Sequence, residues 1–349
     1  MKSKNTLILI GGIYLNHKPN SGETMKNQLF LKRFNELFER VIPIDTFRWN
    51  KHPFCLVKLF YTLLAHPKAK VIISASGSAK HLIHFLYKFP INKHTYFWVV
   101  GGNLADSIKK GFYNVKALNS LVYIPVQGTS MVRELKELGV KNAIYVPNSK
   151  PITYRPVISS HKQGQPYRFV FMSRIHPDKG IKEIIEASNR LDIEGFEGLY
   201  SIDFYGPKDK EYETEFDNII SQKKNLVYKG YLDLTNDAGY DLLSTYEIML
   251  FPTYWHGEGF PGVVLDANIA GVPIIASDWN LNTEVIENNR TGIIIPAHDS
   301  MALYEAMKKV IIGEIDLFTM KNTCVDHVQQ YDFRKVLSEE LMKRLQLLD

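Results

Sequence analysis

Short apolar, β-rich runs alternate with amphipathic helical runs along almost the whole chain, and this alternation limits the folds open to it. TLILIGG (6–12), VIPI (41–44), KVIISAS (70–76), TYFWVVGG (95–102), LVYIPV (121–126) and AIYVPN (143–148) read as strands. NQLFLKRFNELFER (27–40) sets Leu29, Phe30, Phe34, Leu37 and Phe38 on one helical face, and MVRELKELGV (131–140) reads as a helix closed by Gly139. Strands joined by helical crossovers run parallel, so the pattern predicts an α/β architecture with doubly wound sheets. SKPITYRPVISSHKQGQP (149–166), with three prolines, interrupts the rhythm and reads as a linker. The rhythm then restarts through YRFVFMSR, IKEIIEASNRL, YSIDFYG, FDNIISQK, NLVYKG, DLLSTY, EIMLFPT and TGIIIP, and FRKVLSEELMKRLQLL (333–348) reads as one amphipathic helix. The expected organisation is an N-terminal domain over 1–150, a linker over 151–166, a second domain over 167–330 and a closing helix in 331–349, with a cleft between the two domains. In such sheets ligands bind beyond the carboxyl ends of the strands, so the chemistry belongs in strand-to-helix loops.

The chain has 349 residues, 45% hydrophobic and 23% charged, enough apolar mass for two cores. Two cysteines, Cys55 and Cys324, rule out a disulfide framework and suit a reducing compartment. The opening MKSKNTLILIGGIYL places lysines before an apolar run, but the run is strand-like and lacks a small-residue cleavage pattern. No apolar stretch reaches spanning length, and the expectation is a cytoplasmic protein. Residues 1–150 carry 22 Lys and Arg against 7 Asp and Glu, a net +15, which leaves −10 for the remainder. A split this large predicts different partners for the two halves, with the basic half facing phosphate groups, nucleic acid or an acidic lipid leaflet.

Three segments carry candidate chemistry. In FVFMSRIHPDKGIKEIIEA a strand ends near Met172, and Arg174 and Lys179 occupy the loop before a helix. Two cations beside free N–H groups make an anion site for a diphosphate; the same residues also read as a solvated basic loop. In EGFPGVVLDANIAGVPIIAS (258–277), Glu258 falls in a loop, Pro261 suits a first helical turn, and Asp266 falls mid-helix. A mid-helix aspartate needs a hydrogen-bond donor, either a ligand hydroxyl or a neighbouring protein group. In HKPNSGETMKN (17–27), Gly22 sits in a polar loop where backbone can approach a phosphate. The dinucleotide fingerprint G-x-G-x-x-G, a Walker A loop, a G-x-S-x-G elbow, H-E-x-x-H, C-x-x-C and D-x-D are all missing. His81 and His84 have no third ligand in view and read as surface or core histidines. The basic half lacks any nucleic-acid-binding motif, so a nucleic acid is not an expected partner.

Together these residues resemble glycosyltransferase family 4, retaining nucleotide-sugar transferases of GT-B fold, in which two Rossmann-like domains face a cleft. SRIHPDKG resembles the family's GR…KG element, Glu258-x7-Asp266 its E-x7-E element, and VPNS with Asn148 its P-N-G. The resemblance implies that Arg174 and Lys179 hold the diphosphate, Glu258 contacts the donor sugar, and Asp266 accepts from the ribose. It implies that Gly262 and Val263 face the distal phosphate, Gly22 closes on donor and acceptor, and Tyr231 and Leu232 of KGYLD contact the base. Gly102 and Asn103 of VVGGNLADS stand on the acceptor side, where many members have an active-site histidine. The second carboxylate is one methylene shorter than the family's Glu, so its ribose contact must be closer or water-mediated. The implied donor is a nucleotide sugar, UDP-linked in preference to GDP-linked, with no further cofactor and no metal. The implied acceptor is a glycan or a lipid-pyrophosphate-linked glycan for capsule, exopolysaccharide or surface-glycan synthesis. It would be met at the inner face of the cell membrane, with peripheral contact to acidic lipid. The closing helix would cross back to the N-terminal domain. Competing readings are a non-catalytic sugar-nucleotide-binding subunit of a transferase and a GT-B epimerase; no pyridoxal-phosphate lysine motif supports a phosphorylase.

Overall fold

The computed structural model describes residues 2–18, 21–49, 51, 54–76 and 79–349. The chain divides into two compact units, Met1–Lys150 with Phe333–Asp349, and Pro151–Asp332. It has the GT-B fold, an α/β architecture of two Rossmann-like domains built on parallel sheets.

The first unit begins β1 (Ser3–Gly11), α1 (Gly22–Leu37), β2 (Phe38–Asp45), α2 (Phe54–Ala65), β3 (Lys70–Ala75), α3 (Lys80–Lys88) and β4 (Thr95–Val99). It continues α4 (Leu104–Lys109), α5 (Val115–Asn119), β5 (Ile124–Val126), α6 (Thr129–Glu137) and β6 (Ala143–Tyr145). The main sheet has the order β2-β1-β3-β4, all parallel, while β5 and β6 form a second parallel pair, its entry tied to β4 by Val122 N–H to Thr95 O at 2.9 Å and Phe97 N–H to Tyr123 O at 3.2 Å. Its strand order reverses between β1 and β3. There Gly11 is required by close approach, because a Cβ would lie 2.4 Å from Ser74 O and 2.7 Å from Asn27 Nδ2.

Helix α1 corrects the reading of 27–40 as a helix. It starts five residues earlier and hands Phe38–Arg40 to β2. A capping box starts it: Ser21 Oγ accepts from Thr24 N–H, and Thr24 Oγ1 accepts from Ser21 N–H. The first turns bury polar Thr24, Lys26 and Asn27, so apolar periodicity is blind to them.

The second unit comprises β7 (Tyr167–Met172), α7 (Ile181–Ile193), β8 (Tyr200–Tyr205), α8 (Glu213–Ser221), β9 (Leu226–Gly230), α9 (Asp237–Ser244) and β10 (Ile248–Phe251). It continues α10 (Gly262–Ile269), β11 (Ile274–Ser277), α11 (Asn282–Val285), β12 (Gly292–Ile295), α12 (Ser300–Ile311) and α13 (Leu317–Val328). The sheet order is β12-β11-β10-β7-β8-β9, all parallel, so the chain reverses direction across the sheet between β7 and β10. That switch point is where a doubly wound sheet opens a ligand crevice at its carboxyl edge. The sheet is apolar on both faces, with Phe169, Phe171, Ile202, Phe204, Leu250 and Ile275 buried on one and Val170, Met249 and Ile274 on the other.

Two expectations change. The segment read as a linker is docked on the second unit. His161 stacks on Tyr167 at 3.8 Å and meets Glu247 at 3.0 Å, and Pro156 and Ile158 press on the backbone of Gly271. The expected helix over 333–348 is two short ones, α14 (Phe333–Val336) and α15 (Glu339–Arg344), because Ser338 caps a new start by accepting from Leu341 N–H. Leu337, Met342, Leu345 and Leu347 pack in the first unit's core beside Leu7, Phe30, Phe34 and Trp98.

Candidate functional site

The loop after β7 carries Arg174 and Lys179. His176 Nδ1 accepts from Asp178 N–H and starts a single 3₁₀ turn, Pro177–Lys179. Gly180 ends the turn at φ +80, where a Cβ would lie 2.3 Å from Pro252 O, so only glycine lets this loop close on the start of the loop after β10. The turn fixes Lys179 in a buried position. Its Nζ forms an ion pair with Glu258 Oε2 and sits 5.6 Å from the Trp255 ring centroid and 6.0 Å from that of Phe251. Arg174 is exposed, its guanidinium 5.9 Å from the Trp255 ring.

The loop after β10 is built around Thr253. Its hydroxyl donates to Asp178 O at 3.4 Å or Glu258 Oε2 at 3.3 Å, and accepts from Trp255 N–H at 3.2 Å. Tyr254 N–H donates to Asp178 O at 2.8 Å, which ties the two loops together through backbone. Trp279 Nε1–H donates to Trp255 O at 2.9 Å, and Asn280 Nδ2–H to Glu258 O at 2.9 Å. Glu258 is therefore held at its backbone and its carboxylate, and its side chain is 14% exposed. The loop ends at Pro261, which is the N-cap of α10 rather than a residue of its first turn. No side chain caps this helix, and Gly262 and Val263 are partly exposed at its positive end.

Asp266 lies mid-helix and is 6% exposed. Its donor is a protein group: Tyr240 OH donates to Oδ1 at 2.8 Å from α9. Burial, reinforced by the Asp266 charge, raises the Tyr240 phenol well above its ordinary value, so it stays a donor. Tyr240 stacks on Tyr154 at 5.3 Å, and Tyr154 OH donates to Asp241 at 2.8 Å.

The remaining candidates are spread out. After β9, Tyr231 is 70% exposed, but Leu232 is only 7% exposed, so its side chain is core packing and only its backbone remains for a ligand. In the first unit Gly22 is the first residue of α1, not a loop residue, and nothing lies within 4 Å of a Cβ built there. Pro19 and Asn20 of the same 17–27 segment lie outside the described residues. Gly102 is partly exposed after β4, and Asn103 is the exposed N-cap of α4, with no side-chain cap bond. His81 is exposed, and His84 Nε2 accepts from Asn114 N–H at 3.0 Å.

Thus the structure joins Lys179 to Glu258 across 79 residues, sets Arg174 beside the same tryptophan, and gives Asp266 a tyrosine. Sequence reasoning missed Thr253, Trp255 and Tyr240. The first two stand five and three residues before Glu258 in PTYWHGEG (252–259), so their closeness in sequence is the signal that marks them. It also missed a polar cluster at the first unit's switch point. There Asn27 Nδ2–H donates to Gly12 O at 3.1 Å, Asn27 Oδ1 accepts from Ser74 Oγ–H at 2.5 Å, and Ser76 Oγ–H donates to Glu23 at 3.2 Å. Burial raises the Glu23 carboxyl above its usual value.

Residues 158–323, within the second unit, match the family described as glycosyl transferases group 1. The chain is similar to the amylovoran biosynthesis glycosyltransferase AmsK of Erwinia amylovora, 26% identical over 44% of this chain and 38% of the relative. It is similar to the capsular polysaccharide biosynthesis glycosyltransferase CapM of Staphylococcus aureus, 26% identical over 49% of this chain and 43% of the relative. The matched stretch thus spans less than half the length of these curated relatives. Among solved structures, Anabaena HepE in complex with UDP and glucose superposes with a TM-score of 0.69 at 11% identity, over 99% of this chain and 100% of that one.

Proposed function

We propose that this protein is a retaining glycosyltransferase of family 4 type. It moves a hexosyl or N-acetylhexosaminyl group from a UDP-sugar to a glycan or lipid-pyrophosphate-linked glycan in surface-polysaccharide synthesis. The observation that carries the reading is the Lys179–Glu258 ion pair at the β7/β10 switch point, with Arg174 and the uncapped start of α10 beside it. The names of the relatives and the UDP bound by HepE support the substrate class.

The chemistry follows from charge. Breaking the anomeric C–O bond puts negative charge on the leaving diphosphate and positive charge on the sugar ring. Lys179 offers three donors; one meets Glu258, which leaves others for phosphate oxygens. Arg174 adds a planar fork, and the N–H groups at Gly262 and Val263 add the helix dipole. These groups meet the diphosphate charge without an obligatory metal, in keeping with the missing D-x-D motif. Glu258, fixed by Lys179 and Thr253, orients sugar hydroxyls and steadies the developing oxocarbenium charge. The acceptor hydroxyl attacks from the face the diphosphate leaves; its oxygen bonds the anomeric carbon and its proton passes to the departing phosphate. Asp266 accepts from the ribose beside Tyr240, since a carboxylate has about four acceptor sites.

The test is stereochemical. Proton NMR of the first product formed from an α-linked UDP-sugar is expected to show an α-glycoside. A β-glycoside would remove the retaining assignment.

A further inference from the structure

Helix α2 is apolar on both sides. Leu59, Thr62 and Leu63 hold it on the first unit, while Phe54, Val57, Tyr61 and Leu64 are 84%, 66%, 73% and 65% exposed. Their spacing of three, four and three residues puts these four on one outward stripe. The stripe continues onto α3: the Phe60 and Phe85 rings lie 5.0 Å apart, Phe85 and Phe89 lie 5.2 Å apart, and Phe89 is 58% exposed. A soluble surface seldom shows so many large apolar groups together.

Charge decides what covers them. From residue 46 to 105 the chain has eight Lys and Arg and no Asp or Glu. Lys58 is exposed on α2, with its Nζ–H donating to Pro43 O at 3.4 Å, and Lys68, Lys88 and Lys93 are exposed nearby in sequence. A second copy of the chain would set this basic, acid-free segment against itself, because a two-fold contact pairs a patch with its own equivalent. An anionic bilayer meets both features, acyl chains taking the aromatic stripe and headgroups the lysines. Among the described residues no helix is long and apolar enough to cross a membrane, and with 12 residues α2 suits contact along an interface rather than a span.

We infer that the outer face of α2 with the end of α3 is a docking surface for a bilayer rich in anionic lipid. This deepens the reading above by stating where a lipid-linked acceptor is met, and rests on that reading only for the acceptor's chemistry. The test is flotation of the full chain with vesicles of phosphatidylcholine alone or with phosphatidylglycerol, at low and raised salt. The wild type is expected on the anionic vesicles only, with binding that weakens as salt rises. The triple variant Val57→Ser, Tyr61→Ser, Leu64→Ser should lose about tenfold or more of that binding, with unfolding temperature and UDP binding unchanged. Three outcomes overturn the inference: variant binding equal to wild type, equal binding to both vesicle types, or a wild-type dimer that the triple variant dissociates. Vesicle binding without sugar transfer would instead count against the function proposed above and leave this surface standing.

Discussion

Lys179→Met is expected to lower kcat/KM for sugar transfer by about 10²–10³-fold while the chain stays folded. Two losses combine. The diphosphate loses a buried cation, and Glu258, which shares that cation, is left with Thr253 as its only remaining side-chain partner among the described residues. Lys179 and Glu258 act as one unit, so Lys179→Met with Glu258→Gln should cost little more than either change alone. Lys179→Arg should not restore activity, because the site between the Trp255 and Phe251 rings holds a compact ammonium rather than a planar fork. Single-turnover kinetics with circular dichroism as the fold control check this. Activity within about tenfold of wild type would remove Lys179 from the diphosphate site.

The second large effect lies in the first unit. Lys26 is buried with Nζ out of reach of solvent and of any hydrogen-bond partner among the described residues, and its nearest aromatic contact is the Phe30 ring at 5.4 Å. Burial lowers its pKa from 10.5 to about 7. Between those values the unfolded chain binds a proton that the folded chain does not. Stability therefore rises with pH across the window and is lost as pH falls from 10.5 toward 7, by about 1.4 kcal/mol per pH unit. Lys26→Met keeps the packing and removes the titration. Its gain over wild type should be greatest near pH 7 and should shrink steadily toward pH 10. Urea unfolding at several pH values measures it, and parallel curves for the two proteins would contradict the buried neutral lysine.

What the sequence made legible was whatever is local. Glu258 in a loop and Asp266 mid-helix follow from one strand, one proline and one helical run, and the structure has that order. The ion pair was not legible, because β7 and β10 become neighbours only through the sheet order. Each loop could be placed at a strand end, but not beside the other. Tyr240 was hidden in the same way, 26 residues before its aspartate on a different helix. The early start of α1 was hidden for another reason, since its first buried face is polar. Proline content marked 149–166 as a linker, yet Pro156 and Ile158 pack on Gly271, and composition cannot see such a contact. The charge split of the two halves pointed to an anionic partner, but which side chains of α2 and α3 face outward emerged only from their burial.

The central claim is that the loops after β7 and β10 and the start of α10 hold a uridine diphosphate. Isothermal titration of UDP into the purified full chain tests it most directly, with Arg174→Ala as the comparison. The predicted result is saturable binding at one site, weakened about tenfold or more in the variant. No saturable heat from UDP, or identical binding by wild type and Arg174→Ala, would contradict it.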